Sequence, residues 1–194
     1  MSLVACSPQT SGKASPVNTP SSTGGPGTEQ QVPGSGVPKV DTPIDTSRFE
    51  SAPCSALTDA QVTELFGGQS TAKPELQAPA GPTCGWTPAD LTGANINVIF
   101  STVDRLGLTS VYQAKGTTYK LFEVLAPIAG HPAVAYGTSD FRATGVCSIA
   151  VGTSDRSTVD ITVTQSRGNV GKSDPCVAAQ TVGSKVLATL LEGS

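Results

Sequence analysis

The sequence predicts an α+β domain: a mainly antiparallel sheet with about three helices packed on it and two disulfides. Three observations carry this reading. Helical and strand patterns run in the order helix, two strands, helix, four strands, helix, so later strands follow one another through short loops. Several strand segments alternate apolar and polar residues, as strands with one wet face do. Four cysteines, Cys54, Cys84, Cys147 and Cys176, are spread through the same region, two after a proline at a helix start and two within strands. A parallel doubly wound sheet needs helices between the later strands, and the pattern places none there.

The first helix is expected over residues 57–66. Thr58 is its N-cap, Gln61 closes a capping box, and Leu57 with Val62 occupies the hydrophobic-staple positions. Val62, Leu65 and Phe66 share one face, and Gly67-Gly68 ends the helix. A loop rich in Pro and Ala leads to a short strand over 83–87. Residues 94–101 form a half-buried strand in which Ile96, Val98 and Phe100 alternate with Asn95 and Asn97. A second helix is expected over 104–115, with Leu108, Val111 and Tyr112 inward and Gly116 as its stop. Strands follow over 119–125, 133–136, 147–151 and 158–164, the last turning Val159, Ile161 and Val163 inward. The final helix opens on Asp174 as cap and Pro175 in the first turn, and buries Val182, Val186, Leu187 and Leu190. All helices are expected on one face of the sheet.

Four cysteines permit three pairings. Cys54 with Cys84 and Cys147 with Cys176 are preferred, because each pair is nearest in sequence and ties a helix end to a strand. Cys147 has the parity of Ile149 and Val151, which points it toward the covering helix. No C-x-x-C occurs, so neither a zinc knuckle nor a thioredoxin-like pair is supported.

The fifth cysteine, Cys6, stands apart in Leu3-Val4-Ala5-Cys6, the pattern of a lipobox whose cysteine is lipidated and becomes the mature first residue. Only five residues precede it, fewer than the basic and apolar regions of a signal peptide require, so an upstream extension is expected. Residues 1–6 are then the end of a lipoprotein signal peptide. Residues 7–50 hold seven prolines, much Gly, Ser and Thr, and no aromatic residue before Phe49. Such a segment has too little apolar surface to offset the entropy of ordering it, so it reads as a disordered tether with a reach of roughly 35–40 Å. Residues 51–194 form the globular domain.

Net charge is −3, with no run of Lys or Arg, so nucleic acid has no docking patch. No apolar stretch approaches the roughly 20 residues of a spanning helix. No Gly-x-Gly-x-x-Gly or P-loop is present, and no cofactor is expected. The one histidine, His131 in Gly130-His131-Pro132, lacks a Gly-x-Ser-x-Gly elbow and reads as a loop residue rather than a catalytic base. Asp155, Asp160 and Asp174, near one end of the sheet, could in principle form an acidic pair of glycosidase type, and are expected instead to be solvated or to cap helices. Trp86, beside Cys84, reads as core.

The ordered set Pro53-Cys54-Ser55-Ala56-Leu57-Thr58, Cys84-Gly85-Trp86, Gly130-His131-Pro132-Ala133-Val134, Cys147 and Asp174-Pro175-Cys176 resembles actinobacterial lipoproteins of domain of unknown function 3558. The resemblance spans about residues 50–191. It implies a signal-peptide lipoprotein on the outer face of the cell membrane, anchored through the lipid on Cys6, with a disulfide-bonded domain and no assigned activity. It supplies no catalytic residue. The expectation is a non-enzymatic envelope module that binds a small-molecule ligand or an envelope protein. The alternative is a carboxylate-dependent hydrolase of cell-wall polymers.

Overall fold

The computed structural model describes Met1, residues 30–90 and residues 92–193. Within them lies a seven-stranded sheet in the order β1-β2-β3-β7-β6-β5-β4. The strands are β1 (Ser70–Glu75), β2 (Thr83–Pro88), β3 (Asn95–Ser101), β4 (Leu121–Ile128), β5 (His131–Gly137), β6 (Val146–Ser154) and β7 (Ser157–Thr164). Every neighbouring pair is antiparallel. Two meanders, β1-β2-β3 and β4-β5-β6-β7, are joined by the pairing of β3 with β7, in which Val98 faces Ile161. The α+β class and both disulfides are therefore as the sequence predicts.

The core face of the sheet carries Trp86, Val98, Phe100, Ile149, Val151, Val159 and Ile161, all at most 3% exposed. Alternation put them there: each shares its parity with the other inward residues of its strand. The helix α4 (Pro175–Gly193) lies across β6 and β7 and buries Val182, Val186, Leu187 and Leu190. Its N-terminus is set by Asp174, whose Oδ1 accepts the Cys176 N–H at 2.8 Å. Gly183 faces the sheet, where a Cβ would stand 3.2 Å from the methyl ends of Ile128 and Ile149, so the helix approaches closely. The helix α2 (Asp59–Phe66) has the capping box, Thr58 with Gln61, and a left-handed Gly67 at its end. Cys147 bonds Cys176, pinning β6 to the first turn of α4, and Cys54 bonds Cys84, pinning a 3₁₀ turn (Pro53–Ala56) to β2.

Five expectations are corrected. The tether does not extend to residue 50: Val40, Ile44 and Phe49 are at most 5% exposed, and α1 (Ser47–Ser51) precedes the predicted domain start. The Val40 N–H donates to Asp155 Oδ1 at 2.9 Å and the Ile44 N–H to the Thr153 carbonyl at 2.8 Å. Phe49 stacks against Phe100 with ring centroids 6.2 Å apart. Three apolar residues four or five positions apart were enough to anchor a segment whose average composition looks soluble.

The predicted loop before β2 contains β1, an edge strand none of whose residues is buried, so it has no alternation to reveal it. Pro74 is tolerated there because an edge strand leaves one side of its backbone unpaired. The second helix is shorter, α3 (Leu108–Gln113): Asp104 Oδ1 turns the chain by accepting the Leu106 N–H, and Gly107 at φ 54° interrupts the helical backbone. It also packs on the other face, where Leu108 and Val111 meet Val134 and Ala150, so the helices are not confined to one side. Finally, His131 opens β5 rather than sitting in a loop. It is 4% exposed and its Nδ1 donates to the Gly152 carbonyl at 2.9 Å. Residues 1–6 and the part of the tether over 7–29 lie outside the described residues, apart from Met1.

Candidate functional site

A cleft opens where β3 and β7 run out beneath α2 and α4. It has a volume of about 410 Å³. Leu65 and Phe66, the last residues of α2, form one wall, because the left-handed Gly67 stops the helix there. Ile96 and Val163 form the floor, Ala178, Thr181 and Val182 of α4 the opposite wall. Two loops make the rim. One joins β2 to β3 and brings Asp90 and Thr92; the other joins β7 to α4 and brings Ser166, Asn169 and Ser173. The Arg167 N–H donates to the Thr92 carbonyl at 3.1 Å, tying the two rims together. Across the back, α2 is held to α4 by Lys185 Nζ on Glu64 Oε2 at 2.7 Å and by Gln61 Nε2 on the Lys185 carbonyl at 3.2 Å.

Gln165 is the polar centre of this cleft. It continues the inward parity of Val163 one step past the strand and is 8% exposed. Its Nε2 donates to the carbonyl and hydroxyl of Ser173, at 3.2 and 3.0 Å, while its Oε1 is buried with no hydrogen-bond partner. A buried acceptor left unpaired costs on the order of 1–3 kcal/mol.

Two further clefts lie among the described residues. One lies between Arg142 and the segment 171–175, but Arg142 is already committed to Asp140 at 2.6 Å and Glu123 at 3.1 Å. That pairing holds the Asp140 carboxyl down to about 2. The other, beside the Cys54–Cys84 bridge, is lined chiefly by Ala52, Pro53, Pro74 and Leu76.

The three aspartates do not form a group. Asp155 receives the Val40 N–H at the turn into β7, and Asp174 caps α4 beyond the far end of that eight-residue strand, roughly 25 Å away. Asp160 lies between them on the second face, where Ala150 is directly opposite on β6 and Ile99 on β3. It is half-buried rather than fully solvated: Oδ1 is enclosed and without a hydrogen-bond partner. Burial pushes its carboxyl up to about 7, against the hydroxyls of Thr158 and Tyr136, which favour the charged form. Tyr136 is in turn held well above the usual phenol range by burial and by that carboxylate. The small Ala150 leaves the space that lets the phenol of Tyr136 on β5 reach across β6 to β7. Among the described residues no three His, Cys, Asp or Glu side chains converge as a metal-binding group.

Trp86 is core, as expected, and the four domain cysteines are bonded in the preferred pairs. Cys6 lies outside the described residues. Gln165 was missed because a glutamine just beyond a strand has no sequence signature, although its parity with Val163 was readable. Asp160 was placed on the polar face, and nothing local showed that Tyr136 would cover it.

The fold and its cleft define a disulfide-pinned antiparallel α+β domain with a small-molecule-sized recess at one end of the sheet. The chain belongs to the family described as Protein of unknown function (DUF3558), whose family model matches residues 1–189. Neither a curated protein nor a solved structure matches it.

Proposed function

We propose that the protein is a lipid-anchored, extracytoplasmic binding module of the actinobacterial cell envelope, held to the outer face of the membrane through Cys6, and that its domain captures a small ligand in the cleft between α2 and α4. The observation that carries the binding reading is the recess of about 410 Å³ itself, with Leu65, Phe66 and Ile96 on its apolar side and Asp90, Thr92 and Ser173 at its rim. Sites for small ligands are concave, mixed in polarity and supplied with a few placed polar groups. The rigid back of the cleft, two helices stapled by Lys185 and Gln61, supports a preformed site. No helix among the described residues is long and apolar enough to cross a membrane, so the anchoring proposal rests on Cys6 alone.

The non-catalytic reading is supported by the dispersal of the carboxyls. A glycosidase pair stands about 5–9 Å apart across a cleft, whereas Asp155 and Asp174 sit at opposite ends of β7 and Asp160 is closed over by Tyr136.

The binding proposal is tested by thermal-shift screening of small envelope metabolites against the wild type and Ala178→Trp, which fills the cleft from α4. Compounds that stabilise the wild type and not the variant support it. Equal stabilisation of both, or of neither, overturns it. Anchoring is tested by expressing the gene with its upstream sequence and labelling with a clickable palmitate analogue: label should be lost in Cys6→Ala.

A further inference from the structure

We propose that the free edge of β1 is a docking strip for an extended segment of a partner protein, which adds an antiparallel strand to the sheet and sets an apolar side chain in the groove beside the Cys54–Cys84 bridge. This surface shares no lining residue with the cleft between α2 and α4.

The hydrogen-bonding pattern shows which backbone groups the edge offers. β1 is one border of the sheet, and five of its six residues are exposed. The Ala89 N–H donates to the Gln69 carbonyl at 3.0 Å, so Gln69 and Ala89 are a bonded pair and the antiparallel ladder alternates from there. Thr71, Lys73 and Glu75 therefore turn their backbone groups to β2, while Ser70, Ala72 and Pro74 turn theirs outward. The edge presents the N–H groups of Ser70 and Ala72 and the carbonyls of all three, and Pro74 has no N–H to leave unpaired there.

Side-chain parity places the groove where an added strand can use it. Ala72 and Pro74 pair with Trp86 and Cys84, so their side chains lie on the core-face side. The residue opposite Pro74 in an added strand points the same way, where Ala52, Pro53, Cys54 and Leu76 line a groove of about 470 Å³. Leu76 is 54% exposed. Main-chain bonds to a sheet edge, with a pocket for alternate side chains, are the means by which extended segments are recognised.

Charge defines the partner. Lys73 and Glu75 project from the opposite face, exposed, and among the described residues neither is in an ion pair. Antiparallel pairing is the more stable per residue. An antiparallel segment complements both charges with a basic residue opposite Glu75, an apolar one opposite Pro74 and an acidic one opposite Lys73, in that order along its chain. A second copy of β1 fits poorly. The two-fold registers with most overlap set Lys73 against Lys73, or Pro74 against Pro74, or Ser70 opposite Pro74, which leaves the groove empty. An edge roughly 20 Å long also buries far less than the roughly 1,000 Å² of a stable interface between copies.

The test is an NMR titration of the nitrogen-15-labelled full chain with the peptide acetyl-Val-Arg-Leu-Glu-Val-Thr-amide. Three relatives serve as controls: one with Arg and Glu exchanged, one with Ser for Leu, and one N-methylated at the Val opposite Ala72. The first peptide should shift the amides of residues 70–76 and 52–55 and slow hydrogen exchange at Ala72. Exchanging its charges should weaken binding about threefold or more, and Ser for Leu about fivefold or more. Lys73→Glu combined with Glu75→Lys, at exposed positions, should reverse the preference between the two charge orders. Ala178→Trp in the other cleft should leave it unchanged. Absence of shifts at β1 with millimolar peptide, equal binding of the N-methylated peptide, or indifference to charge order overturns the proposal. Shifts at β1 that grow with protein concentration in the absence of peptide make the edge a contact between copies and overturn it as well.

Discussion

Replacing Asp160 by Asn should make the domain more stable at neutral pH and change the shape of its pH dependence. Asp160 lies in the middle of a strand with Oδ1 enclosed and unpartnered. Part of the residue keeps contact with solvent, but the enclosed oxygen sets the desolvation that lifts the carboxyl from the ordinary 3.8 to about 7. Below pH 4 the group is protonated in folded and unfolded chains alike, and burial costs no ionisation energy. Between pH 4 and 7 the unfolded chain releases the proton and the folded one retains it, so stability falls as pH rises. Above 7 both forms are ionised and the loss levels off. Three decades at about 1.4 kcal/mol each set a ceiling of about 4 kcal/mol, and relaxation around the charge brings a measured value nearer 2–3 kcal/mol.

Asn keeps an acceptor for the hydroxyls of Tyr136 and Thr158 and does not titrate. Tyr119 and Asp104 also act across this face, Asp104 by raising Asp160 further, and both remain in the variant. Urea unfolding at half-unit steps from pH 4 to 8 therefore yields a difference curve, variant minus wild type, that rises through this window and then flattens. A difference independent of pH would refute the buried, shifted carboxyl. Asp140, held near 2 by Arg142, bends the curves in the opposite sense, but only at lower pH and weakly because it is exposed.

Phe49→Ala should cost about 3–4 kcal/mol in urea unfolding, since the ring is 1% exposed and stacks on Phe100; a residue in a free tether would be silent. Removing the Cys147–Cys176 bridge, with its separation of 29 residues, by paired Ala substitution should cost roughly 3–4 kcal/mol under non-reducing conditions, and a near-zero change would count against its role in pinning α4. Gly81→Ala should destabilise by at least about 3 kcal/mol, because Gly81 has φ 127° and its Cβ would fall 2.0 Å from the Phe100 carbonyl oxygen. Circular dichroism melts check this last case, with Gly68→Ala, at an open position, as the mild control.

Legibility followed the range of the interactions involved. The capping box at Thr58 and Gln61, the Asp174 cap and the alternation of β3 and β7 are local, and each was readable within a few residues. The disulfide pairs were readable because Pro-Cys marks a helix start and strand parity aims a side chain. β1 was hidden because an edge strand facing solvent on every side chain has no periodicity to detect. α3 was overextended because a left-handed glycine and an Asp104 turn outweigh a helical apolar spacing. The segment 37–50 was misassigned because composition averages over a window, whereas burial selects Val40, Ile44 and Phe49 one at a time.

From the order of its residues alone this chain already specifies an antiparallel α+β domain with two helix-to-strand disulfides, since capping, parity and cysteine placement act over short distances. The cleft, its unpaired glutamine acceptor and the buried Asp160 are products of β3 meeting β7 and of β5 lying near β7 across Ala150. Desolvation is a property of everything that surrounds an atom, and strands separated by dozens of residues supply those surroundings. That is why the polar groups with the most chemical consequence were the ones that pattern could place on a face but could not show to be enclosed.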